Sequence, residues 1–276
     1  MRARHVLLAL FLLASPAAAQ GVLVAPPGLF IDHGARGGSL ELYNPGADPA
    51  EVEISLEFGY PVSDSTGRVT LLMANADTAR ASAARWIEAF PRRLTLAPRQ
   101  RQTVRLLAKP PAGLPDGEYW ARIVVAAKGA RVRLDSAQDD GGIEVGLTLN
   151  VRTVVALLYR QGKVATGLDV RDTRAWVDHD SLLVRARFER HGNAAFIGRA
   201  RGSLTDASGK TVASFTAPLA VYYTLEPRFA APVRGLAPGR YVLHLDVDTE
   251  RDDVRRESLL PIDALRDSTS VLVSAR

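Results

Sequence analysis

Cysteine is absent from this 276-residue sequence, and only five histidines are present. Without cysteine the chain can form no disulfide, thiolate metal site, thiol nucleophile or iron–sulfur cluster. The histidines, at positions 5, 33, 179, 191 and 244, stand singly and lack the spacing of metal ligands. The sequence also contains no G-x-S-x-G nucleophile motif and no P-loop. We therefore predict no catalytic residues, no metal, no cofactor and no enzymatic activity.

Two short acidic segments could be drawn as metal sites, but their spacing does not support that interpretation. In Asp178-His179-Asp180 adjacent side chains point apart, which favours a solvated loop. Asp139-Asp140-Gly141-Gly142 lacks the alternating oxygen ligands and the distal glutamate of a calcium loop. The first segment is therefore interpreted as a solvated loop and the second as a flexible turn.

Long apolar runs are missing, and the first nineteen residues instead have the three parts of an export signal. Arg2 and Arg4 form a basic start, an apolar stretch follows from Val6 to Ala14, and residues 15–19 provide an Ala-x-Ala cleavage site after Ala19. An apolar run of roughly nine residues is too short to span a bilayer. We predict a Sec-type signal peptide at residues 1–19 and no membrane insertion by the remaining chain.

The excess of basic residues is small. The formal charge is +5, and Arg2 and Arg4 contribute two of those charges within the predicted signal peptide. The remaining positive charge is dispersed along the chain, so the sequence predicts no nucleic-acid partner.

Period-two alternation and short apolar runs, bounded by glycine, proline, asparagine or aspartate, recur at about ten-residue spacing after Gly21. This pattern predicts an all-β chain with two immunoglobulin-like β-sandwich domains, residues 20–160 and 161–276. Helix-forming residues between Asp77 and Ile87 predict one short helical crossing. The predicted strands are Leu23 to Ile31, Ser39 to Tyr43, Val52 to Phe58, Val69 to Met73, Arg92 to Leu96, Thr103 to Lys109, Glu118 to Ala126, Ile143 to Tyr159, Leu182 to Glu189, Phe196 to Asp206, Thr211 to Phe215, Leu219 to Tyr223, Tyr241 to Asp248, Glu257 to Pro261 and Val271 to Ser274.

A weak internal repeat supports two domains of one kind. Leu114-Pro115-Asp116-Gly117-Glu118-Tyr119 precedes one apolar strand, and Leu236-Ala237-Pro238-Gly239-Arg240-Tyr241 precedes another. Each segment has the pattern of a tyrosine corner, in which the tyrosine hydroxyl bonds to the backbone a few residues upstream. Two unrelated Pro-Gly turns would give the same pattern.

One predicted strand is unusually long. Apolar residues alternate with Glu144, Gly146, Thr148, Asn150 and Arg152, and the apolar positions are Ile143, Val145, Leu147, Leu149 and Val151. This apolar face either packs into its own sandwich or forms an exposed edge, which would need a partner to avoid aggregation. Alternation alone does not separate the two interpretations.

An ordered set of short motifs in the amino-terminal half resembles the periplasmic pilus-assembly chaperones of the chaperone/usher pathway. The motifs are Val22-Leu23-Val24, Phe30-Ile31-Asp32, Leu40-Glu41-Leu42-Tyr43-Asn44, Phe90-Pro91-Arg92-Arg93-Leu94-Thr95-Leu96-Ala97-Pro98, Gln102-Thr103-Val104-Arg105-Leu106, Leu114-Pro115-Asp116-Gly117-Glu118-Tyr119 and Leu157-Leu158-Tyr159-Arg160. The carboxy-terminal half matches only through its strand pattern.

The resemblance implies a periplasmic chaperone that stabilises pilin-like subunits by donor-strand complementation and delivers them to an outer-membrane usher. The strand before Leu157 would be lent to a subunit that lacks its own last strand. By position, the donated side chains would be Leu147, Leu149 and Val151, extended by Val145 and Ile143.

The sequence departs from the family at two positions in the cleft between the domains. Family members bind the subunit's terminal carboxylate with an arginine and a lysine there, and the alignment places Gly28 and Val154 at those positions. Arg152, Arg160 and Arg36 are the candidate replacements. We therefore expect a divergent member with a different anion anchor, or a related protein without client capture.

Two other functions fit the composition. A secreted structural or adhesive protein of tandem immunoglobulin-like domains would show the same strand pattern without chaperone activity. A carbohydrate-binding module or an enzyme with a sandwich fold would require Trp86, Trp120 and Trp176 to share one exposed face.

Overall fold

A computed structural model of the chain describes residues 21–133 and 146–274. These residues form two β-sandwiches joined through a short connection, which confirms the predicted all-β class with two immunoglobulin-like sandwiches. Within these ranges no helix is long and apolar enough to cross a membrane. The predicted signal peptide, residues 1–19, lies outside the described residues.

The strands of the described residues follow one another along nearly the whole chain. They are β1 (Leu23–Ala25), β2 (Gly28–Asp32), β3 (Gly37–Tyr43), β4 (Ala50–Ser63), β5 (Val69–Ala74), β6 (Ile87–Phe90), β7 (Arg93–Leu96), β8 (Arg101–Ala108), β9 (Gly117–Arg133), β10 (Gly146–Gln161), β11 (Thr166–Asp178), β12 (Ser181–Gly192), β13 (Phe196–Thr205), β14 (Thr211–Val221), β15 (Thr224–Leu225), β16 (Arg228–Pro232), β17 (Gly239–Asp248) and β18 (Leu265–Val273).

The first sandwich consists of β1 to β10. One sheet has the strand order β1-β3-β8-β6, and the other has the order β2-β10-β9-β4-β5 with β7 also paired to β4. Apolar residues at alternate positions of both sheets form one core, in which Leu40, Leu96 and Leu157 are fully buried. Alternation along each strand therefore directs one face of each sheet into the core.

The second sandwich consists of β11 to β18. Its sheets have the orders β11-β12-β15, with β16 also paired to β12, and β14-β13-β17-β18. A separate core holds Leu182, Phe188, Phe196 and Leu243, all fully buried. Each sandwich thus buries its own apolar cluster.

The predicted strand from Leu23 to Ile31 is wrong, because the chain changes sheets within it. Pro26 and Pro27 separate β1, which pairs with β3, from β2, which pairs with β10 in the opposite sheet. Proline has no backbone N–H to donate to a ladder, so two consecutive prolines end one strand and allow the chain to cross.

The prediction of a helical crossing between Asp77 and Ile87 is also wrong. This segment runs beside β9, where the Trp120 N–H donates to the carbonyl of Ala81 at 2.7 Å and the Ala83 N–H donates to the carbonyl of Trp120 at 2.8 Å. Pairing with β9 uses backbone groups that a helix would need, and Ala83 is fully buried there. Tertiary pairing therefore outweighs the helix propensity of the alanines.

In the second sandwich, the structure differs from the predicted strands at two places. The predicted strand from Glu257 to Pro261 is replaced by a short 3₁₀ turn at Arg256–Ser258. The predicted strands Thr211 to Phe215 and Leu219 to Tyr223 are one strand, β14, which runs through Pro218. A proline is tolerated there because β14 lies at the edge of its sheet.

Both predicted tyrosine corners are confirmed. The Tyr119 hydroxyl donates to the carbonyl of Pro115 at 3.0 Å, and the Tyr241 hydroxyl donates to the carbonyl of Ala237 at 2.9 Å. Each bond ties the start of a central strand, β9 or β17, to the loop before it. The repeated motif thus has one structural role in both sandwiches.

Replacing Tyr241 with phenylalanine should remove this partly buried hydrogen bond and lower the free energy of unfolding by about 1 kcal/mol. Urea denaturation followed by circular dichroism measures the change. Tyr43→Phe is the matched control, because the Tyr43 ring stacks with Arg101 and its hydroxyl has no hydrogen bond within the described residues. Equal stability of the two variants would contradict a structural role for the corner.

Candidate functional site

The two edges of β10 are paired to different extents. On one side, β9 pairs with β10 along its whole length, from Gly146 to Gln161. On the other side, β2 pairs in parallel with Ala156 to Arg160 only. Among residues 21–133 and 146–274, no strand pairs with this side of β10 between Gly146 and Val155. We call this stretch the open edge.

The predicted donor residues lie on or immediately before the open edge. Ile143 and Val145 fall outside the described residues. Leu147 and Leu149 lie on β10, where their backbones pair with β9. Val151 is half-buried, and its side chain lies beside Gly21, the first described residue.

The three predicted anion anchors have different surroundings. Arg152, on β10, is exposed and pairs with Glu57 at 3.0 Å. Arg36 is exposed in the turn between β2 and β3. Arg160 is buried and forms an ion pair with Glu118, whose side chain is fully buried. Of the three, Arg160 alone is buried, and its charge is already neutralised within the chain.

Glu118, at the start of β9, connects the two sandwiches. One carboxylate oxygen accepts hydrogen bonds from the Trp120 indole at 2.9 Å and from the Ala195 N–H at 3.0 Å. The other oxygen accepts from Nε of Arg160 at 2.9 Å, and that guanidinium lies over the ring of Phe30. Because Ala195 belongs to the second sandwich, a single buried carboxylate holds groups from both.

Asn193 provides a second connection from the corner between β12 and β13. Its side-chain amide donates to the carbonyls of Asp116 and Lys163, and its side-chain oxygen accepts from the Ala165 N–H at 2.8 Å. Its own carbonyl accepts from the Glu118 N–H at 2.9 Å. These bonds tie the first sandwich, the connection and the second sandwich together.

A cavity of about 210 Å³ lies between the sandwiches, and we call it the cleft cavity. Its walls are mostly apolar. It adjoins the point where the open edge ends, because Gly28 and Ala156, the first pair between β2 and β10, both line it. Its other principal lining residues are Arg122 and Leu158 of the first sandwich and Ile197, Tyr222, Arg251 and Asp253 of the second.

Arg122 is the buried cation of this cavity. It is 7% exposed, and its Nε donates to the carbonyl of Gly59 at 2.8 Å. Its guanidinium lies 4.9 Å from the centre of the Tyr222 ring. No carboxylate of the described residues forms an ion pair with it, since Glu57, its neighbour on β4, pairs with Arg152 instead.

The other two charged residues of the cleft cavity neutralise each other. Arg251 donates to both carboxylate oxygens of Asp253, at 2.6 and 2.5 Å, and this hydrogen bonding lowers the pKa of Asp253. Burial raises the pKa of Tyr222, although the nearby Arg122 cation acts in the opposite direction, so the Tyr222 hydroxyl stays neutral. Among the described residues that line the cavity, Arg122 is thus the charged side chain without an ion pair.

The three tryptophans do not share one exposed face. Trp120 is buried at the junction against the rings of Tyr222 and Tyr223, whereas Trp86 packs on Tyr159 in the first sandwich. Trp176 is 39% exposed on the second sandwich. The described residues also contain no group of three or more histidine, aspartate or glutamate side chains able to hold a metal ion.

Arg122 and Tyr222 were not among the residues proposed from the sequence. The signal for Arg122 is a single arginine within the apolar run from Tyr119 to Ala127. Buried strands rarely contain an unpaired charge, so such an arginine marks a position with a specific role. Tyr222 gives no comparable signal, because its contact with Arg122 joins distant parts of the chain.

No protein-family model matches this sequence, and no curated protein matches it. Several solved structures are similar in fold. The YadV chaperone has a TM-score of 0.46 and 15% sequence identity, with 90% of this chain and 98% of that chain covered. The class 5 fimbriae chaperone CfaA has a TM-score of 0.43 and 12% identity, with 90% and 98% covered.

A third similar structure is the CsuC–CsuE complex of a chaperone and a tip adhesion subunit, from archaic chaperone–usher Csu pili of Acinetobacter baumannii. Its TM-score is 0.43 and its identity 13%, with 91% of this chain and 98% of that chain covered. All three structures contain chaperones, the class of protein that the sequence resembles.

Proposed function

We propose that this protein is a periplasmic chaperone that lends the open edge of β10 to a secreted pilin-like subunit and delivers the subunit to an outer-membrane usher. The observation that carries this proposal is the pairing of β10, which leaves the side of Gly146 to Val155 opposite β9 without a strand partner among the described residues. Unpaired N–H and C=O groups along a strand are a template for another chain.

The length and position of the open edge support this function. The open edge precedes the five residues of β10 that pair with β2. At about 3.3 Å per residue, it provides roughly 30 Å of main chain for another strand. Main-chain hydrogen bonds would hold the incoming strand. The alternating apolar side chains, Ile143, Val145, Leu147, Leu149 and Val151, would fill the gap in the core of the subunit.

The remaining parts of the proposal come from the sequence. The signal peptide at residues 1–19 exports the chain to the periplasm, and the two sandwiches correspond to domains at residues 20–160 and 161–276. Hydrogen bonds of Glu118 and Asn193 connect the two sandwiches beside the cleft cavity. An enzyme activity is not part of this proposal.

The test is capture of a client by the purified full chain. The chain is co-expressed with each secreted protein encoded beside its gene, and complexes are isolated through a tag on the chaperone. We expect Leu149→Asp to weaken capture by about tenfold or more, because a charge would be buried in the client core. Asn150→Asp is the matched control, since it adds the same charge at the neighbouring, exposed position.

Thermal unfolding of each variant alone separates function from stability. If Leu149→Asp captures the client as well as the unmodified chain does, the donor role of β10 is refuted. If it instead lowers the stability of the free chaperone, Leu149 belongs to the chaperone's own core. A protein that captures no neighbouring secreted protein would fit the structural or adhesive role better.

A further inference from the structure

Three arginines lie in one row on the outer face of the sheet formed by β11, β12 and β16. Arg174 on β11 lies opposite Arg185 on β12, and Arg185 lies opposite Arg228 on β16. Val184 and Phe229, the next residues along β12 and β16, are buried in the core of the second sandwich, so the arginines point away from it. We call these three residues the arginine row. Like charges directly opposite each other destabilise a sheet, so this row needs an explanation.

Two of the three charges have no counter-charge within the described residues. Arg185 forms an ion pair with Glu226 at 3.1 Å and donates to the carbonyl of Ser65 at 3.0 Å. Arg174 and Arg228 are exposed, and neither side chain forms an ion pair in this part of the chain. The charges at both ends of the arginine row are therefore available to an anion.

The neighbouring arginines on this face are neutralised. Arg171 lies opposite Arg187, and both form ion pairs with Glu189, at 3.7 and 3.0 Å. Arg171 also forms an ion pair with Asp169 at 3.4 Å. The sheet thus supplies carboxylates to one pair of opposed arginines and leaves the ends of the arginine row without them.

An apolar row lies beside the arginine row, two residues away along each strand. Trp176 lies opposite Leu183, and Leu183 lies opposite Ala230. At about 3.3 Å per residue, the two rows are roughly 7 Å apart. Trp176 is 39% exposed, and its indole makes no aromatic contact or hydrogen bond within the described residues. The two rows together form a surface that is both apolar and cationic.

Two carboxylates on β11 limit the extent of this surface. Asp172 lies in the bulge before Arg174, and Asp178 follows Trp176, with its carboxylate 2.8 Å from Nδ1 of His179. Both carboxylates would repel an anion. A ligand of this face therefore contacts the two rows alone, and its binding is reversible.

The combination of the two rows indicates the kind of anion. A soluble polyanion would satisfy the arginines but would leave the apolar row in water. At the surface of a bilayer, phosphate groups lie beside the boundary of the acyl chains, so both rows find partners there. Arginine binds phosphate oxygens through its planar fork, and tryptophan is enriched at the level of the lipid headgroups.

We propose that the arginine row and the apolar row bind the surface of an anionic phospholipid membrane. Arg174 and Arg228 donate to lipid phosphates, and the Trp176 ring lies at the level of the headgroups. The protein contacts the membrane through its second sandwich. This inference does not depend on the donor role of β10, which belongs to the first sandwich.

The experiment measures sedimentation of the exported, purified protein with vesicles. Protein without residues 1–19 is used, because the apolar stretch of the predicted signal peptide would itself bind lipid. We expect binding to vesicles of phosphatidylglycerol and phosphatidylcholine, and little binding to phosphatidylcholine alone or at high salt. Arg174→Gln and Arg228→Gln should each weaken binding about fivefold, and the double variant about twentyfold.

Arg240→Gln is the matched control. Arg240 is also exposed and has no ion pair within the described residues, but it lies on β17, in the opposite sheet of the second sandwich. Its replacement removes the same charge and should leave vesicle binding unchanged. Neither Arg174→Gln nor Arg228→Gln should lower the midpoint of thermal unfolding, because neither substitution breaks an ion pair.

Tryptophan fluorescence provides a second readout. Lipids brominated on their acyl chains quench tryptophan fluorescence on contact. Trp120 is buried and Trp86 packs on Tyr159, so we expect the quenching to come from Trp176. Trp176→Phe keeps an aromatic ring on the apolar row and should abolish the quenching.

Three results would overturn the inference: equal binding to anionic and neutral vesicles, equal weakening by Arg240→Gln, and quenching that persists in Trp176→Phe. Dextran sulfate is the soluble polyanion for comparison. If it binds through Arg174 and Arg228 while anionic vesicles do not bind, the lipid surface is refuted in favour of a soluble polyanion. None of these results bears on client capture, so this inference and the proposed function can fail separately.

Discussion

Replacing Glu118 with alanine is expected to lower the free energy of unfolding by about 3–5 kcal/mol. The substitution leaves the buried guanidinium of Arg160 without its partner and removes the acceptor of the Trp120 indole and the Ala195 N–H. The loss of a buried counter-charge exceeds the loss of any one of these hydrogen bonds. Urea denaturation followed by circular dichroism and by tryptophan fluorescence measures the effect.

Two variants make this prediction specific. Glu118→Gln keeps an acceptor oxygen but lacks the charge, so it should retain part of the lost stability. Glu88→Ala breaks a more exposed ion pair, with Lys109, and should cost less than about 1 kcal/mol. If Glu118→Ala and Glu88→Ala have similar stabilities, the buried Glu118 carboxylate contributes no more to stability than an exposed one.

Replacing Gly192 with alanine should destabilise the protein by about 2–4 kcal/mol. Gly192 ends β12 with φ +87°, a left-handed conformation that side chains disfavour. An added Cβ would also lie 2.5 Å from the carbonyl oxygen of Ala165 in the connection between the sandwiches. Since that atom belongs to the backbone, the connection itself would have to move.

Gly209→Ala separates the two contributions to this effect. Gly209 has φ +83°, almost the same as Gly192, but an added Cβ would meet nothing within 4 Å. Gly209→Ala should therefore lower the free energy of unfolding by only about 1 kcal/mol, the cost of the left-handed backbone conformation. The thermal unfolding midpoints of the two variants give the comparison, and equal midpoints would show that the approach to Ala165 is unimportant.

Local patterns predicted much of the fold. The alternation of Val52 to Phe58 correctly predicted a strand, which is part of β4. The motif before Tyr241 correctly predicted the hydrogen bond from its hydroxyl to the backbone carbonyl of Ala237. Both inferences depend on neighbouring residues only. The segment from Asp77 to Ile87 failed for the opposite reason, because its conformation is set by pairing with β9, which is distant in the sequence.

The candidate site was harder to predict, because its parts come together only in three dimensions. The sequence indicated an unusual alternating strand at Ile143 to Val151. It did not show that β2 would begin only at Gly28 and leave this side of β10 unpaired before Ala156. Nor did it show that Arg122 would meet Tyr222, a residue of the second sandwich. Such contacts depend on the angle between the sandwiches, which no local pattern encodes.

The position at which β2 begins limits how much of β10 is free for another strand. With Pro26 and Pro27 just before it, β2 occupies the ladder from Ala156 onward and acts as a fixed stop. If the proposed function holds, a strand bound parallel to β10 would have to end before Ala156, where β2 begins. The start of β2 would then limit the length of the segment that a partner can contribute.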